Sequence, residues 1–383
     1  MPESIPALKS MIGQLIASPS VSSINAAWDQ SNRGVIELLS SWCESLGFRV
    51  EILPVGNCPG KYNMVASAGK GAQGLILSGH TDTVPFDHQH WRTDPPRLSE
   101  RDNRLYGLGT SDMKAFFALV IEAVRELDLG SLQQPLVILA TADEESSMSG
   151  AQSLVESGRQ FGRHALIGEP TGLRPVRMHK GVSMETIRLH GRSGHSSNPA
   201  LGVSALEGMY LVIGEILAWR QELQSRHHNP LFEVAVPTLN LGHIHGGDNP
   251  NRICGECELQ IDLRPLPGME IDELRVELAS RLQRLPLQRD LKLELISPFQ
   301  GIPSMETAAD AQIVRATEAL TGYPAGAAAF GTEAPFFSRM GTETVVLGPG
   351  DIAQAHQPDE YLGLERIPPM ITLLQQLIRR FCL

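Results

Sequence analysis

Three short apolar segments, each followed closely by ionisable side chains, constrain the fold of this 383-residue chain more than any other feature. The segments are Gly74–Ser78, Leu136–Ala140 and Ala165–Ile167, and the residues after them include His80, Asp82, Glu144, Glu145 and Glu169. Short continuous apolar runs are typical of strands buried on both faces of a parallel sheet. Because open α/β sheets bind ligands at the carboxyl ends of their strands, we expect these side chains to meet in one site.

The remaining patterns predict an α/β fold with a mostly parallel sheet and a smaller inserted α+β region of ferredoxin-like type. An amphipathic helix is predicted near the N-terminus, where Ile5, Leu8, Ile12, Leu15 and Ile16 recur at helical spacing. Further elements are predicted at 111–127, 307–320, 344–347 and 367–381, and alternating strands at 184–189, 239–245 and 257–263. We therefore predict a catalytic domain formed by 1–180 and 293–383, with an inserted domain at 181–292.

Composition excludes several classes of partner. The net charge of −11 disfavours nucleic acid and anionic membranes, since both attract clustered Lys and Arg. No apolar run approaches the roughly 18–20 residues that span a bilayer, and no signal peptide is evident. The five cysteines are scattered and indicate reduced thiols, so we expect a cytoplasmic protein. The Cys254-x-x-Cys257 pair lies in a strand-like stretch and is interpreted as core packing, with structural zinc as the weaker alternative.

The ionisable residues at the strand ends suit a metal-dependent hydrolase. His80 and Asp82 resemble a metal-bound imidazole with its hydrogen-bond acceptor, and Asp112 follows a glycine-rich turn. The adjacent acids Glu144 and Glu145 repel each other unless a cation or proton intervenes. Any one of these residues alone is explained as a solvated loop side chain or a helix-terminal charge. Together, His, Asp and Glu without Cys favour a partly open zinc or cobalt site.

Other hydrolase and nucleotide-binding motifs were sought in the same sequence. There is no Gly-x-Ser-x-Gly elbow of a serine hydrolase, and no Walker or dinucleotide-binding glycine pattern. The Gly107-x-Gly109 pair lacks a third glycine and is interpreted as a turn.

Long motifs spread over nearly the whole chain resemble those of the M20 metallopeptidases. They are SGHTDTVPFD (78–87), LYGLGTSDMK (105–114), ILATADEE (138–145), IGEPTGLRPVRMHKG (167–181), SGHSSNPA (193–200), PTLNLGHIHGGD (237–248), DLRPLPGM (262–269), TEAPF (332–336) and LGPGDIAQAHQPDEY (347–361). The resemblance implies two zinc ions per subunit, for which cobalt can substitute.

The resemblance also implies a role for individual residues. His80 and Glu169 would hold one zinc ion, Glu145 and His356 the other, and Asp112 would bridge the two. Glu144 would be the general base and Asp82 the residue that orients His80. His356, one of 12 histidines, is not distinguished by spacing alone. The inserted domain would act as a lid and form a homodimer, with His195 reaching the partner's active site to stabilise an oxyanion.

The resemblance further implies that the substrate is a small N-acylated amino acid. Its carboxylate is expected to pair with Arg252 or Arg264, although a structural role for either arginine is equally consistent. Glu333, in the TEAPF motif, is a further candidate substrate-binding residue. An N-acetyl group is expected, with an N-succinyl group or an aminoacylase-type substrate as the alternative. A catalytically inactive binding protein or a structural dimer module on the same fold is the alternative of another class.

Overall fold

The chain forms two compact units in a computed structural model that describes residues 5–383. Unit 1 comprises Met1–Arg177, Thr307–Gly326 and Thr332–Leu383, and unit 2 comprises Met178–Glu306 and Ala327–Gly331. Residues 1–4 of the predicted first segment lie outside the described part. The predicted border near residue 293 falls within a strand of unit 2. The division into a catalytic domain and a lid domain with these borders stays a prediction.

The elements of residues 5–383 are given in chain order. The strands are β1 Arg49–Pro54, β2 Tyr62–Ala68, β3 Leu75–His80, β4 Ser99–Arg101, β5 Arg104–Tyr106, β6 Leu136–Thr141, β7 His164–Ile167, β8 Val176–His179, β9 Ser183–His190, β10 Thr238–Gly246, β11 Glu256–Arg264, β12 Lys292–Ile296, β13 Met305–Glu306, β14 Gly326–Ala328, β15 Glu343–Val346 and β16 Tyr361–Gly363. The α-helices are α1 Leu8–Ala17, α2 Arg33–Ser45, α3 Lys114–Val124, α4 Ser149–Glu156, α5 Ala205–Arg226, α6 Ile271–Gln283, α7 Gln312–Thr321, α8 Ala334–Arg339 and α9 Ile367–Cys382.

The central sheet of unit 1 has the strand order β1-β2-β6-β3-β7-β15-β8. Its four middle strands, β6, β3, β7 and β15, are parallel, whereas the outer neighbours pair antiparallel. Every residue of β3, β6 and β7 is buried, as expected for strands covered on both faces. The parallel order brings the carboxyl ends of β3, β6 and β7 to one sheet edge. The predicted α/β class with a mostly parallel central sheet is confirmed.

Two predicted helices of unit 1 begin later than their sequence pattern suggests. Helix α3 starts at Lys114 rather than Ser111, and the N–H groups of Ser111 and Asp112 in the preceding turn bind the carboxylate of Glu360. Helix α7 starts at Gln312 rather than Thr307. The N-terminal helix α1 forms as predicted, with Ile12, Leu15 and Ile16 among its buried residues.

Unit 2 contains a four-stranded antiparallel sheet in the order β10-β11-β9-β12, with helices α5 and α6. The chain order β9-α5-β10-β11-α6-β12 and this strand order are those of a ferredoxin-like fold, as predicted. Cys254 and Cys257 are both buried in the apolar core of this unit. In the described part of the chain, no helix is both long and apolar enough to cross a membrane.

Candidate metal centre

The deepest part of the candidate site lies at the carboxyl end of β3. His80 is the last residue of that strand and is fully buried. Its Nε2 lies 3.1 Å from Oδ1 of Asp112, which stands in the turn before α3, and 3.8 Å from Oε1 of Glu169. Glu169 follows β7, the parallel neighbour of β3. His80 and Glu169 thus converge because the parallel strands β3 and β7 end at the same edge, and the turn before α3 brings Asp112 to them.

A second cluster lies beside the first and is more open to water. His356 Nε2 lies 3.0 Å from Oε2 of Glu145, which follows β6, and 3.6 Å from Oδ2 of Asp112. His356 follows β15 in a loop and has a φ of +60°. The carboxylate of Asp112 therefore lies between the two histidines, with one oxygen near each.

Two sets of side chains place potential ligand atoms within 4.8 Å of one another. They are His80 with Glu144 and Glu169, and His80 with Asp112 and Glu145. We call His80, Glu144 and Glu169 the inner group, and Asp112, Glu145 and His356 the outer group. The structure brings together the six residues that were expected at a metal centre. Glu144, the expected general base, lies among the potential ligands of the inner group.

The electrostatics of the site favour a bound cation. Burial, reinforced by neighbouring carboxylates, raises the pKa of Glu144 and of Glu169 well above the usual range. Burial lowers the pKa of His80, but the charge of Glu169 and the hydrogen bond with Asp112 outweigh it and raise that pKa. The raised pKa values of Glu144 and Glu169 favour their protonated forms, and a divalent cation would displace those protons. Oε1 of Glu169 is buried without a hydrogen-bond partner among the described residues. Imidazole and carboxylate donors of this kind fit zinc or cobalt.

The sequence predicts that the carboxylate of Asp82 accepts a hydrogen bond from His80, but in the structure the main-chain oxygen of Asp82 does so. Nδ1 of His80 lies 3.1 Å from the main-chain oxygen of Asp82, but 3.7 Å from its Oδ1. Oδ2 of Asp82 instead accepts a hydrogen bond from the N–H of Glu145 at 3.0 Å. Asp82 therefore contacts both strand-end loops, and its main chain rather than its side chain makes the hydrogen bond with His80.

An ion pair that sequence reasoning did not identify supports the loop carrying Glu144 and Glu145. Asp143 has a φ of +58°, and its Oδ1 lies 2.7 Å from Nζ of the buried Lys61. The same oxygen accepts a hydrogen bond from Oγ of Ser22 at 2.9 Å. Aspartate tolerates the left-handed conformation, and this contact fixes it where the chain turns after β6. The only feature of the sequence that pointed to a role for Asp143 was its position directly before Glu144 and Glu145.

The predicted site residues of unit 2 contact other residues of their own unit. His195 is exposed, with Nδ1 2.7 Å from Oγ of Ser197, and it forms an isolated β-bridge with Arg252. Arg252 forms an ion pair with Asp248 at 3.1 Å. Arg264 forms one with Asp262 at 3.0 Å. Both arginines contact nearby acids of their own unit, which is compatible with the structural role weighed above.

Glu333 lies directly before α8 and is completely buried. Neither of its carboxylate oxygens has a hydrogen-bond partner among the described residues. Burial raises the pKa of Glu333 to about 7, although the charge of His80 opposes that rise. Because no part of Glu333 is accessible, its position gives no support to the predicted contact with substrate.

A comparison with protein families agrees with the geometry of this site. The sequence profile of the peptidase family M20/M25/M40 matches residues 76–380, which is most of the chain. The chain belongs to this family. Its members are hydrolases, so the cluster at the sheet edge lies in an enzyme.

Two relatives match the chain along its whole length. An acetylornithine deacetylase from Edwardsiella ictaluri (strain 93-146) is 50% identical over 378 residues, covering 99% of this chain and 98% of the relative. Another, from Pectobacterium carotovorum subsp. carotovorum (strain PC1), is 47% identical over 382 residues and covers 100% of both chains.

Solved structures share the fold at much lower sequence identity. The M20 metallo-carboxypeptidase Sso-CP2 from Sulfolobus solfataricus is 15% identical, has a TM-score of 0.76, and covers 98% of this chain and 99% of its own. The YXEP protein of Bacillus subtilis, described as a dinuclear metal-binding peptidase of the M20 family, has a TM-score of 0.64 at 14% identity, with 97% of each chain covered.

Proposed function

We propose that this protein hydrolyses N2-acetyl-L-ornithine to L-ornithine and acetate, a step of arginine biosynthesis. The observation that carries the proposal is full-length similarity, at 47–50% identity, to two proteins named acetylornithine deacetylase. The candidate metal centre supports it, because its histidines and carboxylates suit hydrolysis of an amide.

The proposed metal centre holds two zinc ions, with cobalt as a substitute. His80 and Glu169 would hold one ion, Glu145 and His356 would hold the other, and Asp112 would bind both. The central position of the Asp112 carboxylate, near both histidines, supports the bridging role. Bound divalent ions would supply Lewis-acid polarisation of the acyl carbonyl and of the attacking water.

Glu144 performs the proton transfers of the proposed reaction. Its carboxylate takes a proton from water as the water oxygen attacks the acetyl carbon. It then delivers that proton to the amine as the carbon–nitrogen bond breaks. Such positioned proton transfer contributes typically about 10²–10⁴-fold in rate. The raised pKa of Glu144, caused first by burial, supports this role, because a carboxyl group with a raised pKa accepts a proton more readily than an ordinary carboxylate.

Unit 2 contributes substrate contacts and the dimer interface in this proposal. Arg252 or Arg264 pairs with the substrate carboxylate, and His195 stabilises the oxyanion in the active site of the partner subunit. Self-association is supported by Leu206 and Tyr210, which are 51% and 77% exposed on α5. The edge strand β10, with Ile244 51% exposed, is a second surface of the kind that pairs with another chain. The proposed location is the cytoplasm.

A substrate panel with metal analysis of the same preparation tests the proposal. We expect about two zinc ions per chain and the highest kcat/KM on N-acetylornithine, compared with N-succinyl-diaminopimelate, other N-acetylated amino acids and dipeptides. A preference for the succinylated substrate would identify the alternative desuccinylase activity. Bound metal without hydrolysis of any substrate would favour an inactive binding protein on this fold.

A further inference from the structure

The turn between β5 and α3 presents several backbone N–H groups towards one point. Gly109 has a φ of +87°, a conformation that favours glycine. A Cβ added to Gly109 would lie only 2.9 Å from Cε of Lys114, so the close packing of the turn also requires glycine. Successive N–H groups that converge in this way form a concave anion-binding nest.

The nest is filled by a carboxylate of the same chain. Oε1 of Glu360 accepts hydrogen bonds from the N–H groups of Ser111 at 2.7 Å, Asp112 at 3.0 Å and Gly109 at 3.1 Å. Oε2 also lies 3.1 Å from the N–H of Gly109. Glu360 is 1% exposed, so breaking the contact would leave the carboxylate and the N–H groups buried without partners, which destabilises the folded protein.

Glu360 also belongs to the segment that carries His356. It directly precedes β16, which pairs antiparallel with β5 through Tyr361 and Tyr106. The main-chain oxygen of Glu360 accepts a hydrogen bond from the N–H of Gly107 at 3.0 Å. The side chain and main chain of one residue therefore fasten the His356 segment to the turn that carries Asp112.

We propose that Glu360 is a positioning residue of the metal centre, which fixes the main chain of Asp112 and thereby the carboxylate between His80 and His356. This inference rests on the proposed metal-dependent function. Glu360 does not act as a ligand, because its oxygens are engaged by N–H groups. Its effect reaches both candidate ions through Asp112, whose two oxygens lie near different histidines.

Replacement of Glu360 should weaken metal binding more than it weakens folding. Glu360→Ala removes the acceptor of three N–H groups, and we expect metal affinity to fall about 10–100-fold, the usual effect of losing a partner behind a ligand. Glu360→Gln keeps an oxygen that can occupy the position of Oε1, so it should recover most of the lost affinity. Glu360→Asp keeps the carboxyl group but is too short to reach all three N–H groups, and should fall between the two.

The neighbouring Asp359 provides a matched control. Its Oδ1 accepts hydrogen bonds from the N–H groups of Arg92 and Thr93, both at 2.9 Å, and so fastens a different loop. Asp359→Ala removes the same kind of contact without touching the turn of Asp112. It should lower the unfolding temperature but leave metal affinity at the wild-type value.

The experiment is a zinc titration of chelator-treated protein in competition with a chromophoric chelator, with thermal unfolding of the metal-free forms alongside. Weakened zinc binding in Glu360→Ala, recovery in Glu360→Gln and unchanged binding in Asp359→Ala would support the proposal. Wild-type affinity in Glu360→Ala, or an equal loss in Asp359→Ala, would overturn it. If Glu360→Ala does not fold, unchanged affinity in Glu360→Asp would overturn it instead. Failure of the wild-type protein to bind zinc would count against the proposed function itself.

Discussion

The inner and outer groups of the metal centre differ most in how far their histidines are exposed to water. The side chain of His80 is completely buried, whereas that of His356 is 53% exposed. In the outer group, the hydrogen bond with Glu145 raises the pKa of His356 to about 9, while burial also raises the pKa of Glu145. In the inner group, Glu144 and Glu169 carry raised pKa values, first because of burial. Because His80 is shielded from water and His356 is not, we infer that the inner ion is held more tightly than the outer ion.

Removal of metal should have the largest effect. Exhaustive dialysis against a chelator should abolish hydrolysis of N-acetylornithine, and zinc or cobalt should restore it. With graded chelator, the ion of the outer group should leave first, because water and chelator reach His356 directly. Metal content and activity measured on the same samples would check this order. Full activity in metal-free protein would exclude the whole mechanism.

Loss of the proposed general base should be the next largest effect. Glu144→Ala should lower kcat by roughly 10²–10⁴-fold, the usual contribution of positioned proton transfer. It should retain both ions, because Glu144 is not one of the proposed ligands. Metal analysis and kcat of the purified variant are the measurements. A loss of the inner ion would instead assign Glu144 to metal binding, an outcome made plausible by its place beside His80 and Glu169.

The contrast between the inner and outer groups also explains which residues of the metal centre could be predicted from the sequence. His80 and Glu169 are found from sequence alone, because buried parallel strands deliver the residues that follow them to one edge. His356 follows β15, but it lies ten residues beyond that strand in an irregular loop. No periodicity determines where such a loop returns, so only the family resemblance selected His356. The contacts of Asp143 with Lys61 and of Glu360 with the Asp112 turn join distant segments, and no local pattern reveals them.

Substituting His80 and His356 one at a time should distinguish the metal binding of the inner group from that of the outer group. His356→Ala should release the outer ion, with its affinity falling by more than about 10-fold, and leave the inner ion in place. His80→Ala should disturb both ions, because Nε2 of His80 lies within 3.1 Å of the proposed bridging carboxylate. Metal stoichiometry after equilibration with limiting zinc would distinguish the variants. Equal stoichiometry in the two variants would remove the distinction between inner and outer groups.

The smallest expected effect is a pH-dependent change in stability from Glu333, the buried carboxyl group near His80. Its pKa rises from 4.5 to about 7 because of burial, so the folded state binds more protons than the unfolded state between these values. The free energy of unfolding of the metal-free protein should therefore decrease as pH rises from 4.5 to 7 and stay lower above that.

Glu333→Gln should make this decrease smaller by the share of Glu333, which is of order 2–3 kcal/mol between pH 4.5 and pH 8. Urea unfolding of chelated protein at several pH values measures it. The difference in pH slope is the decisive quantity, since a buried glutamine can shift stability equally at every pH. Glu37→Gln, at a side chain that is 57% exposed, is the matched control and should leave the slope unchanged. An unchanged slope in Glu333→Gln would mean that Glu333 is already charged in the folded protein, and that the environment of the inner group is more polar than its burial suggests.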